Sequence, residues 1–326
     1  MIRAMLAMNP AHLRPLFGLE EIDRLTSLVE VDPTRAVQDL AAADLREVEV
    51  LITSWGCPPI DRAVLSRAPR LRAVVHVAGS VKHHITDACW ERGIRVSSAG
   101  AANAVPVAEY TVAAILFAGK RVLEIRDLYR RHRRALDWAQ LFPGFGNYRQ
   151  TVGIVGASTI GRRVLDLLRP FDLDLLVADP YLDSGTAGAR LLPLDELLAA
   201  SDVVSIHAPE LPQTRHLLDR ARLARMRDGA TLINTARGSL VDLDALTAEL
   251  VSGRLHAVID VTEPEPLPAD SPLYELPNVL LTPHIAGSLG GELRRLTRSA
   301  LGELERYTAG LPFAHAVSRA ALSRSA

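Results

Sequence analysis

Aromatic residues make up only 5% of this 326-residue chain, and lysine is nearly missing: Lys82 and Lys120 are the two lysines among 37 cationic side chains. Such an arginine bias reads as codon usage rather than as an arginine-based function. A charge excess of one sign is missing too. With 37 Lys+Arg against 38 Asp+Glu the formal net charge is −1, so no basic field exists to hold nucleic acid. No uninterrupted apolar run of about 18 residues occurs, so no membrane span is expected. The first ten residues have too short an apolar core for a signal peptide and are broken by Asn9-Pro10. Cysteine is scarce: Cys57 and Cys89 lack zinc spacing and read as free thiols of a reducing, cytoplasmic compartment. The adjacent His83 and His84 have no companion ligand, so no metal is expected. What is present is an ordinary globular balance, 48% hydrophobic and 23% charged, in a chain too long for one core. An α/β protein of two domains is expected.

Apolar runs that read as buried parallel strands fall at residues 151–155, 173–178, 202–206, 230–234, 256–260 and 278–281. Helical stretches lie between most of them, at 162–168, 194–200 and 243–251, the last with Asp242 as N-cap and Gly253 as stop. Strands alternating with helices specify a doubly wound parallel sheet. The first hundred residues repeat the pattern more loosely, with strands at 2–7, 48–53, 71–76 and 93–97, and suggest a smaller α/β domain. Residues 107–130 read as one or two connecting helices. Residues 292–306 have helical spacing and can return to the first domain, making it discontinuous. The expected division is 1–104 with 293–326, and 105–292.

The first strand of the sheet leads into Gly156-Ala157-Ser158-Thr159-Ile160-Gly161, which matches the first and third glycines of G-x-G-x-x-G. Ser158 replaces the middle glycine. A Cβ there restricts the approach of a pyrophosphate, but the hydroxyl can donate to a phosphate oxygen, beside the helix N-terminal amides of Thr159 and Ile160. The next strand ends at Asp179, placed to hold the adenosine ribose hydroxyls and to repel a 2′-phosphate, which favours NAD(H). The alternative is that Asp179 only opens a turn before Pro180.

Ligands of an open α/β sheet bind beyond the carboxyl ends of its strands. After the fourth strand comes Arg237, after the fifth Glu263 and Glu265, after the sixth His284. With a nicotinamide cofactor each has a task. An arginine fork can grip the carboxylate of a 2-oxo acid and polarise its ketone. A histidine can give a proton to the alkoxide left by hydride addition, and a carboxylate beside it favours the imidazolium. Either Glu263 or Glu265 can be that carboxylate.

The segments Ile233-Asn234-Thr235-Ala236-Arg237-Gly238, Asp260-Val261-Thr262-Glu263-Pro264-Glu265-Pro266 and Thr282-Pro283-His284-Ile285-Ala286-Gly287 resemble signatures of the NAD-dependent D-2-hydroxyacid dehydrogenases. The likeness runs over residues 48–301. It implies a Rossmann nucleotide-binding domain, a smaller, discontinuous, flavodoxin-like substrate domain, and a homodimer joined through residues 107–130. It implies Arg237 as carboxylate ligand, His284 as acid/base and Glu265 as its partner. It further implies Ala236 and Asp260 against the nicotinamide, and His207, Ala208, Pro209 and Gly287 along the cofactor cleft. Asn103, at the hinge entry, is implied near the substrate.

The departures bear on substrate. Where the family shows G-V-G-x-D-N, this chain has Gly79-Ser80-Val81-Lys82-His83-His84. Backbone amides of that loop hold the substrate carboxylate, so Ser80 and Val81 are expected to line an altered pocket. Trp55 falls where phosphoglycerate dehydrogenases present an arginine, and an indole cannot replace that charge. A small, non-phosphorylated 2-oxo or D-2-hydroxy acid is therefore expected. A dehydrogenase-like NAD(H) sensor with little turnover is the alternative, which Ser158 and the altered loop favour and the intact Arg237, Glu265 and His284 oppose.

Overall fold

The structure, a computed structural model, describes residues 1–186 and 188–322. They form two compact units, Met1–Ala104 with the residues from Ser288 onward, and Val105–Gly287. The second crossing thus falls at Gly287/Ser288 rather than at 292/293. Its physical reason is local: the Ser288 amide donates to Asn103 Oδ1 at 3.0 Å, which fastens the returning chain to the first unit before the last long helix begins.

In the first unit, β1 (Ala4–Ala7), β2 (Ala36–Val37), β3 (Val50–Thr53), β4 (Ala73–His76) and β5 (Arg95–Ser98) lie in the order β5-β4-β3-β1-β2, all parallel. The short strand Ala316–Val317 closes the β5 edge antiparallel. Every residue of β3 and β4 is buried, as the unbroken apolar runs require of strands covered on both faces. Helix Leu293–Thr308 places Leu293, Leu296, Ala300, Leu301 and Leu304 at helical spacing into the core of this unit.

The second unit is a seven-stranded, wholly parallel sheet. In chain order its strands are β6 (Thr151–Val155), β7 (Asp174–Ala178), β8 (Arg190–Leu191), β9 (Val203–Ile206), β10 (Thr231–Asn234), β11 (His256–Ile259) and β12 (Val279–Leu281). Their order is β12-β11-β10-β9-β6-β7-β8. Two apolar layers flank it, one around Leu197, Leu198, Leu223 and Leu246, the other around Ile115, Val164, Leu165 and Leu168. Truncating a fully buried leucine such as Leu165 to alanine costs roughly 2–5 kcal/mol in such a layer. Helix Leu243–Val251 starts at Asp242, whose side chain accepts from Ala245 N, and ends before Gly253 at φ +76°.

The connecting stretch is two helices, Gly100–Gly119 and Val122–His132, broken where Arg121 takes φ +49°. By length and composition Gly100–Gly119 could cross a membrane, so the lack of an uninterrupted apolar run did not remove this possibility. In this fold Ala108, Ala114 and Ile115 pack into the second unit's core and Thr111 hydrogen-bonds Thr235, which accounts for its apolar character. Because every strand of the second sheet is parallel, the segments after β6, β7, β9, β10, β11 and β12 all emerge at one edge. The site is built there.

Candidate active site

The turn after β6 has no room for side chains. Gly156 takes φ +97°, and a Cβ there would sit 2.7 Å from Ala208 N and 2.8 Å from His207 C; one on Gly161 would collide with the Gly156 carbonyl. Ser158 stands between them as the N-cap of helix Thr159–Leu168, its Oγ accepting from Gly161 N at 3.3 Å. The hydroxyl oxygen is thus committed to the helix while its hydrogen stays available, and Thr159 and Ile160 open the helix with amides that have no intrahelical acceptor. Asp179, just past β7, divides its carboxylate: Oδ1 accepts from Tyr181 N at 2.8 Å and Oδ2 from Ala157 N at 2.7 Å. It opens the turn and also ties that turn to the glycine loop. A glycine cradle, a helix N-terminus and an acidic residue after the second strand fit a dinucleotide.

His207, Ala208 and Pro209 come directly after β9. The His207 imidazole is buried, with Nε2 2.9 Å from Ser205 Oγ and Nδ1 unpartnered among the described residues. Burial pushes its pKa down to about 3. The carbonyl carbon of His207 packs against Gly156 and its Cβ against Gly161.

After β12 the chain makes a tight turn held by one buried carboxylate. Asp260 Oδ1 accepts from Thr282 Oγ1 at 2.6 Å and from Ile285 N at 2.8 Å, and Oδ2 from Ala286 N at 2.9 Å. The His284 amide adds a bond to the Asp260 carbonyl at 2.8 Å, and His284 itself takes φ +56°. Tyr110 Oη reaches Thr282 Oγ1 at 2.8 Å. Both Asp260 oxygens thus help to shape the histidine turn.

Thus held, His284 Nδ1 lies 2.9 Å from Glu265 Oε1, with both side chains about half exposed. Glu263 is turned the other way, both its oxygens engaged by Arg215 at 3.0–3.1 Å. Of the two glutamates, Glu265 is the one beside His284 in this structure. Nε2 of His284 is left for a reactant.

Arg237 leaves β10 through a turn in which Asn234 donates to the Arg237 carbonyl at 2.9 Å and accepts from Ala236 N at 3.1 Å. Ala236 is buried; Gly238 packs so tightly on the Thr262–Glu263 backbone that any side chain there would collide. The Arg237 guanidinium touches its neighbour's carbonyl at 2.6 Å and has the carboxylate of Glu210 at 3.9 Å; Ser239 Oγ donates to the same carboxylate at 2.6 Å. Glu210 and Ser239 were missed from sequence, although Glu210 stands just past the end of β9 as Arg237 stands just past the end of β10, a position that marks it as a candidate.

In the first unit, Trp55 lies just past β3, 37% exposed, with its carbonyl accepting from Asn9 N and its ring edge-on to His12 at 5.4 Å. Gly79 and Ser80 come after β4, partly exposed. Val81 corrects an expectation: its side chain is 1% exposed and packs into the core with Leu51, Val74 and Ile85, because an apolar side chain in this loop gains more from burial than from lining a pocket. Asn103 carries the Ser288 clasp on Oδ1, with Nδ2 beside Gly79. No metal-binding cluster exists among the described residues.

Residues 112–286 match the family described as D-isomer specific 2-hydroxyacid dehydrogenase, NAD binding domain. A D-3-phosphoglycerate dehydrogenase of Mycobacterium bovis is 34% identical over 256 residues, 77% of this chain and 47% of that protein. This chain therefore spans about half the length of that relative. A glyoxylate reductase of Korarchaeum cryptofilum is 32% identical over 280 residues, 84% of this chain and 82% of that protein. Among solved structures, a phosphoglycerate oxidoreductase from Rhizobium etli superposes with a TM-score of 0.83 at 25% identity, over 99% of this chain and 100% of that one. With more than half of the chain matched and a relative of similar length above 30% identity, the chain belongs to the D-isomer specific 2-hydroxyacid dehydrogenase family, and its second unit carries the NAD-binding domain.

Proposed function

We propose that this protein is an NAD(H)-dependent oxidoreductase that interconverts a small, non-phosphorylated 2-oxo acid and its D-2-hydroxy acid, with the first unit binding substrate. The observation that carries the reading is the 2.9 Å pair of His284 and Glu265, held half-exposed at the carboxyl edge of a nucleotide-binding sheet. A merely structural pair gains little from such exposure, whereas an acid/base needs it.

When bound, NADH supplies the hydride. The protein's own part is binding, orientation and proton transfer. Arg237 holds the substrate carboxylate and turns the ketone toward His284. His284, as imidazolium, gives the proton on Nε2 to the oxygen that becomes the hydroxyl, and Glu265 on Nδ1 offsets the charge before transfer. In oxidation the neutral ring takes that proton back. Asp260 keeps the histidine turn rigid throughout. Asp179 faces the ribose, and its carboxylate disfavours a 2′-phosphate, so NADH is preferred over NADPH.

Trp55 with His12 at its edge forms an aromatic surface suited to an uncharged substituent, which supports a non-phosphorylated substrate. Two related proteins named for phosphoglycerate make the opposite outcome a necessary arm of the test. A homodimer is supported by helix Val122–His132, which buries no residue, and by Phe117, Leu141 and Tyr148, each at least 50% exposed. A cytoplasmic location is supported by the free thiols; burial pushes the Cys57 thiol up to about 12, so it stays unreactive.

The deciding experiment follows NADH oxidation against glyoxylate, hydroxypyruvate, pyruvate, phenylpyruvate, branched 2-oxo acids and 3-phosphohydroxypyruvate, with NADPH in parallel. Turnover on a non-phosphorylated member with NADH is expected. Turnover confined to the phosphorylated one overturns the substrate class, and NADH binding without turnover favours a sensor.

A further inference from the structure

Three buried polar residues of the first unit take no part in the chemistry described so far. Thr53 and His76 end β3 and β4 and are paired in register; His84 closes the loop after β4. All three are at most 3% exposed. Thr53 Oγ1 lies 2.9 Å from His76 Nδ1 and 3.2 Å from His84 Nε2, and the two rings are tilted at 39° with centroids 4.5 Å apart.

A hydroxyl has one hydrogen, so it can donate to one of these nitrogens and must accept from the other. Burial pushes both rings toward the neutral form, His84 at about 4 and His76 well below its ordinary value, so each has a single N–H. The Thr53 hydroxyl therefore donates to one ring and accepts from the other, and the polar chain His84–Thr53–His76 closes with its donors running in a single direction.

One end, His84, belongs to the loop 79–84, and the other two members are anchored on two adjacent strand ends. Inside the loop the buried Val81 side chain supplies an apolar anchor, and His84 N and Ile85 N bond the Val81 carbonyl at 3.2 and 3.0 Å. Val81 is thereby pinned by its buried side chain and, through its carbonyl, to His84. We propose that the Thr53–His76–His84 relay sets the conformation of the Ser80–Val81 backbone, making Thr53 a positioning residue for the substrate carboxylate. This rests on the reading of that loop as the carboxylate-binding segment. It also gives a use to His84, one of the two histidines that stand in this chain where the family likeness expects other residues.

The test compares wild type, Thr53→Val, which keeps the shape and loses the hydroxyl, and Thr53→Ser, which keeps the hydroxyl. Amide hydrogen exchange over residues 77–85 is measured on the whole protein, and KM, kcat and NADH affinity on the same preparations. Thr53→Val should speed exchange of the loop amides and raise KM for the accepted 2-oxo acid by about tenfold, the scale of one buried hydrogen bond. kcat should stay within about threefold and NADH affinity unchanged, since neither depends on this loop's amides. Thr53→Ser should restore both properties. Unchanged exchange in Thr53→Val, or equal damage in Thr53→Ser, overturns the relay. Faster exchange with unchanged KM overturns its role in substrate positioning. If Thr53→Val does not fold, His84→Gln, which can still hydrogen-bond Thr53, must protect the loop where His84→Met does not; equal behaviour of the two overturns the relay. Wild type that turns over no 2-oxo acid refutes the dehydrogenase reading, while the exchange data still decide the relay.

Discussion

Acid should weaken the nucleotide-binding unit by an amount that can be worked out for one residue. His207 lies buried under the glycine turn, its Nδ1 unpartnered among the described residues, and burial pushes its pKa down to about 3. In an unfolded chain the same ring titrates near about 6.5. Between those two values the unfolded state holds a proton that the folded state lacks, so stability falls as pH falls. The penalty is absent above about pH 7, grows by about 1.4 kcal/mol per pH unit below about 6.5, and levels off below the folded value. From pH 7 to 4.5 it comes to roughly 2–3 kcal/mol, a large share of the net stability of a typical domain. The measurement is urea unfolding from pH 7 to 4.5 for wild type and His207→Gln, whose amide can still meet Ser205. Carboxylates and the other buried histidines contribute equally to both proteins and cancel in the difference. The variant should lose less stability than wild type by roughly 2–3 kcal/mol over this interval, whatever its stability at pH 7. Parallel curves would show that His207 takes up its proton as readily folded as unfolded, and the account of it as a desolvated ring under the turn would fail.

His284→Ala should lower kcat by about 10²–10⁴-fold with NADH affinity nearly unchanged, checked by steady-state kinetics and fluorescence titration; equal losses in both would make the histidine structural. Glu265→Gln should lower kcat far more than Glu263→Gln does, because Glu263 is held by Arg215 away from the histidine. Glu210→Gln should lower KM for the 2-oxo acid by about two- to fivefold, since a half-exposed carboxylate 3.9 Å from Arg237 competes weakly with the substrate's own. Asp179→Asn should narrow the preference for NADH over NADPH, read as the ratio of kcat/KM for the two, while keeping the acceptor for Ala157 N.

The second sheet was legible because strands buried on both faces are predominantly apolar, and those at 151–155, 202–206 and 230–234 are, with Ser205 inside one run and polar residues otherwise at or near the ends. Strands of two residues, such as Ala36–Val37, Arg190–Leu191 and Ala316–Val317, carry no periodicity and were missed. The site was legible as a set of residue types after strand ends, and illegible in its orientations. Glu263 and Glu265 stand two apart in a proline-broken loop, and only Arg215, far away in sequence, separates their roles. Val81 sits in a loop whose glycine suggests exposure, yet its side chain turns inward.

The relay shows the same limit most sharply. His83-His84 is visible in sequence as a pair, but the partner that matters to His84 is Thr53, brought to it by the β3–β4 register and the course of the loop. Residues 53, 76 and 84 share no spacing rule, and nothing in their local sequence distinguishes them from core residues. What reveals them is a count of hydrogens: two buried imidazoles and one hydroxyl can be satisfied together only if the donors run in one direction. A polar group buried at the end of a strand is stable only when such a count closes. Where it closes on a ligand-facing loop, fold stability and site geometry rest on the same hydrogen bonds, so a change that loosens the loop should also weaken the core beneath it.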